Sequence, residues 1–323
     1  MNNVLVTGCS GFIGAITTEI LVEQGYSVIG LDNFSSSYPE AVNKNIKFYY
    51  GDVQDKYVLN RIFADNKIDF VFHFAAESII DKSMIDPSLF FNANISGGIT
   101  LLDTMREHGV NKFIHSSTAS SYGIPLYTPI DENHPQNPIN AYGESKYIFE
   151  RILKWYQKCY DLDYVMFRYF NVGGSTLLNG ERRKEETRLL PTIMRCIKNN
   201  QTLKIFGNDY DTKDGTAVRD YLHVVDVANA HILAMNKFDT VKNDVYNLGS
   251  EEGFSLLEII ELSEKITKYK INYEFTDRRP GDPSVLIASR DRAINKLGWQ
   301  PDYSNLSCVI KDTWRWFNTY GSI

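Results

Sequence analysis

Asn3-Val-Leu-Val-Thr-Gly-Cys-Ser-Gly-Phe-Ile-Gly14, NVLVTGCSGFIG, is the stretch on which the fold of this 323-residue chain turns. An apolar run, Asn3–Thr7, reads as a strand and feeds a glycine-rich turn, Gly8–Gly14. Ala15–Glu23 then reads as a helix, and after Gly25 a second apolar run, Ser27–Leu31, reads as another strand. Glycines where a strand enters a helix let backbone N–H groups approach a pyrophosphate at the helix's positive end. The spacing here is G-x-x-G-x-x-G, a variant of the common G-x-G-x-x-G fingerprint, so the turn alone also fits an unliganded connection. Asp32 closes the second strand 18 residues past Gly14, where a carboxylate accepts ribose hydroxyls and repels a 2′-phosphate. No Arg or Lys follows in NFSSSYPEAVN (Asn33–Asn43), which favours NAD over NADP; an Asp at a strand end also serves simply as a turn cap. Asp52, in GDVQD after the third strand, is placed either near an adenine or on a plain surface turn.

Outward from this unit the alternation continues. Apolar runs at Phe70–Ala75 and Lys112–Ser116 flank a helical pattern over Leu89–Glu107, and a further strand follows at Asp163–Tyr169. The pattern predicts an α/β, Rossmann-like doubly wound parallel sheet. Beyond about residue 172 it breaks into polar, charged text, STLLNGERRKEETR (Ser175–Arg188), before a helix near Leu189. Tyr221–Asn236 and Val245–Gly249 look like a return to the first region. The expected division is an NAD-binding region over 1–172 with a return segment at 221–250, and a smaller α/β substrate-binding region over 173–323.

Composition narrows the function classes. Hydrophobic content of 43% and charged content of 23% are those of a globular chain, and no apolar run approaches the roughly 18 residues a membrane span needs. The start, MNNVLVTG, lacks a basic segment followed by an apolar core, so a cytoplasmic location is expected. Cys9, Cys159, Cys196 and Cys308 form no C-x-x-C pair, which fits a reducing compartment and argues against a metal site. A net charge of -6 offers no overall footprint for nucleic acid but leaves room for a basic pocket that binds a small anion.

Tyr142 and Lys146, in NAYGESK, stand four apart on one helix face. With 20 Tyr and 20 Lys in the chain, about one such spacing is expected by chance, so the pair is informative only through its company. That company is Thr118, ending KFIHSST 24 residues upstream, together with the glycine turn and Asp32. In this order the set resembles the extended short-chain dehydrogenase/reductase family. RYFNVGG (Arg168–Gly174), IFGNDYDTKDGTAVRDYLHV (Ile205–Val224), YNLGS (Tyr246–Ser250) and RRPGDPS (Arg278–Ser284) resemble, within that family, the UDP-glucose 4-epimerases, and the likeness spans essentially the whole chain.

The resemblance implies an NAD-dependent enzyme that inverts C4 of a UDP-hexose through a transient 4-keto sugar. It implies that Gly8, Gly11, Phe12, Ile13, Gly14, Asp32, Asn33, Phe34, Ser35, Ser36, Ser37, Asp52, Val53, Phe74, Ala75, Ala76, Ser78, Asn94, Lys146 and Phe170 surround NAD. Thr118 and Tyr142 would stand at the reacting sugar. Asn171, Leu189, Phe206, Arg219, Arg279 and Asp282 would hold UDP, and Leu286 would border the sugar pocket. The chemistry is coherent: arginines clamp a diphosphate, Asp282 accepts ribose hydroxyls, and Phe206 offers an apolar face to uracil. Either arginine also fits a plain salt bridge.

Inversion requires hydride removal from one face and return to the other, with a base taking the O4′ proton. Tyr142 is the candidate base, with Thr118 on the same oxygen. Bringing a phenol from about 10 to near 7 takes ~4 kcal/mol. One cation at about 4 Å in an effective dielectric of ~20 supplies that much, which points to Lys146 and oxidised nicotinamide.

The sequence departs from the family pattern at Ala15-Ile16, at Ser78 where a lysine is common, and at Arg188 where Asn or His is common. Ser78 implies weaker cofactor retention, and Arg188 either a further phosphate contact or a solvent-facing side chain. A 4,6-dehydratase would carry an Asp-Glu pair just after Thr118, but Ala119-Ser120 follows. A non-catalytic NAD-sensing regulator is the other alternative; such proteins often lack the Tyr/Lys pair, which is present here. Leu286, of intermediate size, leaves use of both UDP-glucose/UDP-galactose and the N-acetylated pair open. A homodimer through the helices containing Leu89–Glu107 and Tyr142–Tyr156 is implied, though the same apolar pattern also fits core.

Overall fold

The computed structural model describes residues 2–279 and 281–320; Pro280, inside the RRPGDPS block, and residues 321–323 of the expected second region lie outside the described residues. Chain order gives strands β1 (Asn3–Thr7), β2 (Ser27–Asp32), β3 (Lys47–Tyr50), β4 (Phe70–His73), β5 (Lys112–Thr118), β6 (Asp163–Tyr169), β7 (Asn171–Gly173), β8 (Leu203–Phe206), β9 (Val218–His223), β10 (Asp244–Leu248), β11 (Gly253–Ser255), β12 (Tyr273–Thr276) and β13 (Val285–Leu286).

β1 to β6 and β10 form a seven-stranded sheet in the order β10-β6-β5-β4-β1-β2-β3, every neighbouring pair parallel. Both faces are covered, which is why the central strands read as unbroken apolar text. On one face the helices Phe12–Glu23 and Val224–Asn236 bury Val4, Val6, Phe72 and Phe167. On the other face Lys56–Asp65, Gly97–Glu107 and Ala141–Tyr160 bury Leu5, Val71, Phe113 and Met166. The strand order reverses between β1 and β4. A crevice opens there at the strands' carboxyl ends, the place where such sheets bind ligands.

Several boundaries move relative to the sequence reading. The first helix begins at Phe12 rather than Ala15, because Gly11 already takes the extended N-cap conformation. β5 runs on to Thr118, pairing along its length with β6. The Leu89–Glu107 pattern is interrupted by a π-helical turn at Asn92–Ser96. Tyr221–His223, expected to return to the first region, belongs to β9 in a separate four-stranded sheet. The helix Val224–Asn236 and β10 are the parts of that segment that rejoin the large sheet. The reason is local: β9 finds partners in β7, β11 and β13 before the chain turns at Val224.

The smaller layer packs Leu189–Asn199, Leu256–Thr267 and Leu306–Tyr320 around a core including Ile193, Tyr221, Ile259 and Ile310. β8 and β12 form a two-stranded parallel piece beside it. β7 follows β6 after a single residue, Phe170, so the chain steps from the large sheet into the small one at the crevice mouth. That step brings the two halves of the site together.

Candidate active site

One cavity of about 1280 Å³ runs from the glycine turn across the ends of β4 and β5 to β9 and β13. At its first end the turn has no room for side chains. A Cβ on Gly14 would lie 2.1 Å from the Gly8 carbonyl oxygen, and one on Gly8, whose φ is 72°, would lie 2.6 Å from the Ala75 nitrogen. The first-turn N–H groups of the helix Phe12–Glu23 have no intrahelical acceptor, and no side chain caps them. A backbone cradle with free donors and no Cβ in the way fits a dinucleotide's diphosphate.

Asp32 is held from behind: its carboxylate accepts from the Ser10 N–H at 3.0 Å and the Phe34 N–H at 2.8 Å. Asp52 accepts from Asn33 Nδ2 at 2.6 Å and from the Gln54 N–H at 2.8 Å. Both carboxylates are thus fixed at the cavity wall.

The middle of the cavity holds Thr118, Tyr142 and Lys146. Asn140 caps the helix Ala141–Tyr160, accepting from the Gly143 N–H at 2.8 Å. Gly143 presses on the turn after β5, where a Cβ would meet the Ser120 carbonyl at 2.4 Å, so the helix starts hard against Thr118. Tyr142 and Thr118 both line the cavity, and Thr118 Oγ1 accepts from the Ser120 N–H at 3.1 Å. Lys146 Nζ donates to the Ser116 carbonyl at 2.9 Å.

The electrostatics differ from the sequence expectation. Tyr142 is half-buried on the cavity wall. Burial there pushes the phenol above its ordinary value, offset in part by the Thr118 hydrogen bond and by the charges of Arg183 and Arg188. Burial drives Lys146 itself down to about 7, with Glu150 pulling the other way, so its own charge is marginal at neutral pH.

At the far end Arg219 and Asp282 are paired at 2.5 Å, and Arg219 also donates to the Val218 carbonyl at 2.8 Å. Tyr210 OH reaches the other Asp282 oxygen at 3.5 Å. Arg279 lies over the Phe206 ring, 4.1 Å from its centroid, and 3.7 Å from Asp81. The plain salt-bridge reading therefore describes Arg219 as it stands, while both arginines still line the cavity.

Arg183, Glu186, Thr187 and Arg188 of the charged loop line the cavity. Arg188 is paired with Glu181 and, at 3.1 Å, with Glu186, and its guanidinium lies 5.4 Å from the Phe12 ring centroid. It faces the cofactor turn rather than solvent. Arg183 Nη2 donates to Ser78 Oγ at 2.7 Å.

Of the site residues inferred from sequence, all but three line this single cavity. Phe34 stacks on Phe48 with ring centroids 5.4 Å apart. Ser37 is buried, bonded to Ser10 Oγ at 2.6 Å. Asn94 is buried and ties the loop after β4 to the helix of Tyr142: Oδ1 accepts from the Glu77 N–H at 2.9 Å and Nδ2 donates to Ser145 Oγ at 2.9 Å.

Against known families, residues 4–249 match the model described as NAD dependent epimerase/dehydratase family. The chain belongs to the NAD dependent epimerase/dehydratase family. Within it, a UDP-glucose 4-epimerase of Lacticaseibacillus casei is 43% identical over 321 residues, covering 98% of this chain and 97% of that one. The solved UDP-glucose 4-epimerase of Bifidobacterium longum in complex with NAD+ and UDP superposes with a TM-score of 0.94 at 35% identity, covering 99% of this chain and 100% of that one. A solved UDP-Glc/GlcNAc 4-epimerase of Campylobacter jejuni gives 0.86 at 34% identity, covering 98% and 99%.

In this member of the epimerase/dehydratase family, sequence reasoning missed the buried cluster behind Lys146. Glu150 forms a buried pair with Arg168 at 2.6 Å and accepts from Ser117 Oγ at 2.5 Å; Arg168 also donates to Tyr122 OH at 2.8 Å. Burial raises the Glu150 carboxyl, but Arg168 and these hydrogen bonds outweigh it and the net shift is downward. The signal was available: Tyr142, Lys146 and Glu150 recur at four-residue spacing along one helix face. Arg183 and Glu186 were also missed, because their loop carries no periodicity.

Proposed function

We infer that the chain is an NAD-dependent UDP-hexose 4-epimerase, interconverting UDP-glucose and UDP-galactose through a transient 4-keto sugar. The observation that carries this is the continuity of one cavity from a diphosphate cradle, past a Tyr–Thr hydroxyl pair, to an arginine-lined pocket. A bound NAD⁺ provides the hydride acceptor.

The chain's own residues hold and deprotonate the sugar. Tyr142 takes the O4′ proton, with Thr118 bonded to the same oxygen. Lys146, fixed on the Ser116 carbonyl, anchors the ribose side of the cofactor. The phenol needs its pKa lowered, and the charges of Arg183 and Arg188 act on it in that direction. Arg219 and Arg279 hold the UDP diphosphate, Asp282 and Asn171 its polar edges, and Phe206 and Leu189 its base. A firm grip there leaves the keto sugar free to turn about its link to the diphosphate.

Leu286, half-buried on the wall beside Arg219, is of intermediate size, and we include UDP-GlcNAc and UDP-GalNAc in the proposed substrate class on that ground. Among the described residues no helix is long and apolar enough to cross a membrane. We place the enzyme in the cytoplasm as a homodimer, supported by Trp155 and Tyr160, which are 62% and 49% exposed on the helix Ala141–Tyr160.

The test is turnover. With NAD⁺ and UDP-galactose the protein should form UDP-glucose, and Tyr142→Phe should lower kcat by about 10²–10⁴-fold. Near-normal turnover by Tyr142→Phe removes Tyr142 as the base, and no product from the wild type removes the activity.

A further inference from the structure

The loop Glu181–Arg188 is fastened onto the dinucleotide side of the crevice. The Lys184 N–H donates to the Ser36 carbonyl at 3.0 Å, and Lys184 Nζ donates to the Phe34 carbonyl at 2.7 Å. The Lys184 ammonium also sits 5.5 Å from the Tyr38 ring centroid. These bonds pin the loop to the segment that follows Asp32, while Arg183 reaches the far wall at Ser78. The loop therefore bridges the crevice from one wall to the other.

Arg183 within it is unusual. The two carboxylates that act on it, Glu181 and Glu186, are both engaged by Arg188. Among the described residues its guanidinium has one side-chain hydrogen bond, to a neutral hydroxyl. An arginine carries five N–H donors and keeps its charge, so a half-buried one left with a single serine is a site built for an oxyanion. Its position says which. Ser78 stands three residues past Ala75, whose backbone packs on Gly8 of the cradle. Arg188, from the same loop, covers Phe12 at the first helical position. The Arg183 charge also reaches Tyr142, which places it towards the reacting end of the cavity.

We propose that the loop Glu181–Arg188 is a strap over the cofactor and that Arg183 binds the dinucleotide's diphosphate from the side opposite the glycine turn. This rests on the reading that the cavity holds NAD. The diphosphate is then gripped between backbone N–H groups of the large domain and a guanidinium from the small layer. Cofactor retention depends on a residue outside the dinucleotide-binding sheet, and the neutral Ser78 serves to aim that residue rather than to meet the phosphate itself.

The experiment is calorimetric titration of nucleotide-free protein with NAD⁺, ADP-ribose, adenosine and UDP, for wild type, Arg183→Gln and Arg183→Lys. Loss of a charged hydrogen-bonding partner predicts about 10-fold or greater weakening of NAD⁺ and ADP-ribose by Arg183→Gln, with adenosine and UDP within about 2-fold. Arg183→Lys, which keeps the charge without the fork, should lose only about 3-fold, and the double variant Ser78→Lys/Arg183→Gln should recover most of the affinity by presenting a cation from the other wall. If Arg183→Gln does not fold, Arg183→Lys decides, since an unchanged NAD⁺ affinity there overturns the assignment. Equal losses for adenosine and NAD⁺ overturn it too, because they mark a general opening of the strap. A wild type that binds no NAD⁺ defeats the cofactor reading itself, whereas normal NAD⁺ binding by Arg183→Gln defeats this inference alone.

Discussion

The two ends of the cavity hold their ligand-facing groups by different means. At the glycine turn the work is done by backbone: close approaches of Gly8 and Gly14, a helix beginning at Phe12, and a carboxylate locked by two main-chain N–H groups. At the other end it is done by long side chains held in pairs, Arg219 with Asp282 and Arg279 over Phe206. A backbone cradle exists before anything binds and tolerates no added atom. A pair of side chains is a reversible arrangement, in which each member leaves a charge exposed or buried when the other is taken away.

Three experiments sharpen that contrast. Gly14→Val should have the largest effect, because any Cβ there collides with the Gly8 carbonyl. NAD⁺ affinity is expected to fall at least about 100-fold while UDP binding survives, as read by titration of each ligand separately. Comparable loss of UDP would show that the two ends do not form independently.

The second concerns the pair. Arg219→Met and Asp282→Asn should each weaken UDP by about 10-fold, but the double variant should be little worse than Arg219→Met alone, since the two act as one unit. Strict additivity in that cycle would mean that the pair opens before UDP binds and that each residue meets the ligand separately.

The smallest effect is on stability. The folded Lys146 has a pKa of about 7 against an ordinary 10.5, so between these values the unfolded chain holds a proton that the folded chain has given up. Stability from this group therefore rises as pH goes from about 7 to 10.5. The melting temperature of the ligand-free wild type should climb relative to Lys146→Met across that window. A pH-independent difference between the two proteins would place the ammonium in contact with water.

Legibility followed the same contrast. β1, the turn and β2 were readable because a parallel strand buried on both faces is apolar throughout and the glycines punctuate it. Thr118 and Tyr142 were nameable, yet their mutual placement rests on Gly143 packing against Ser120, a contact between elements that spacing does not encode. Phe34, Ser37 and Asn94 have the residue types and positions of ligand contacts, and spacing did not show that each is also held by a neighbour in space: Phe48, Ser10 and Ser145. Spacing named Lys146 and oxidised nicotinamide as the charges that tune Tyr142, but not that the lysine is itself desolvated, nor that the charges of Arg183 and Arg188 also act on the phenol, from a loop some forty residues later.

By itself the sequence determined the parallel sheet, the diphosphate cradle and the kinds of groups at the site, because these follow from local periodicity, turn chemistry and motif order. Tertiary structure decided which charges meet. Arg183 at Ser78, Arg188 over Phe12 and Glu150 with Arg168 are contacts between distant segments, set by how the small layer folds back across the crevice. Electrostatic interaction depends on separation and on exclusion of water, and neither quantity is written along the chain.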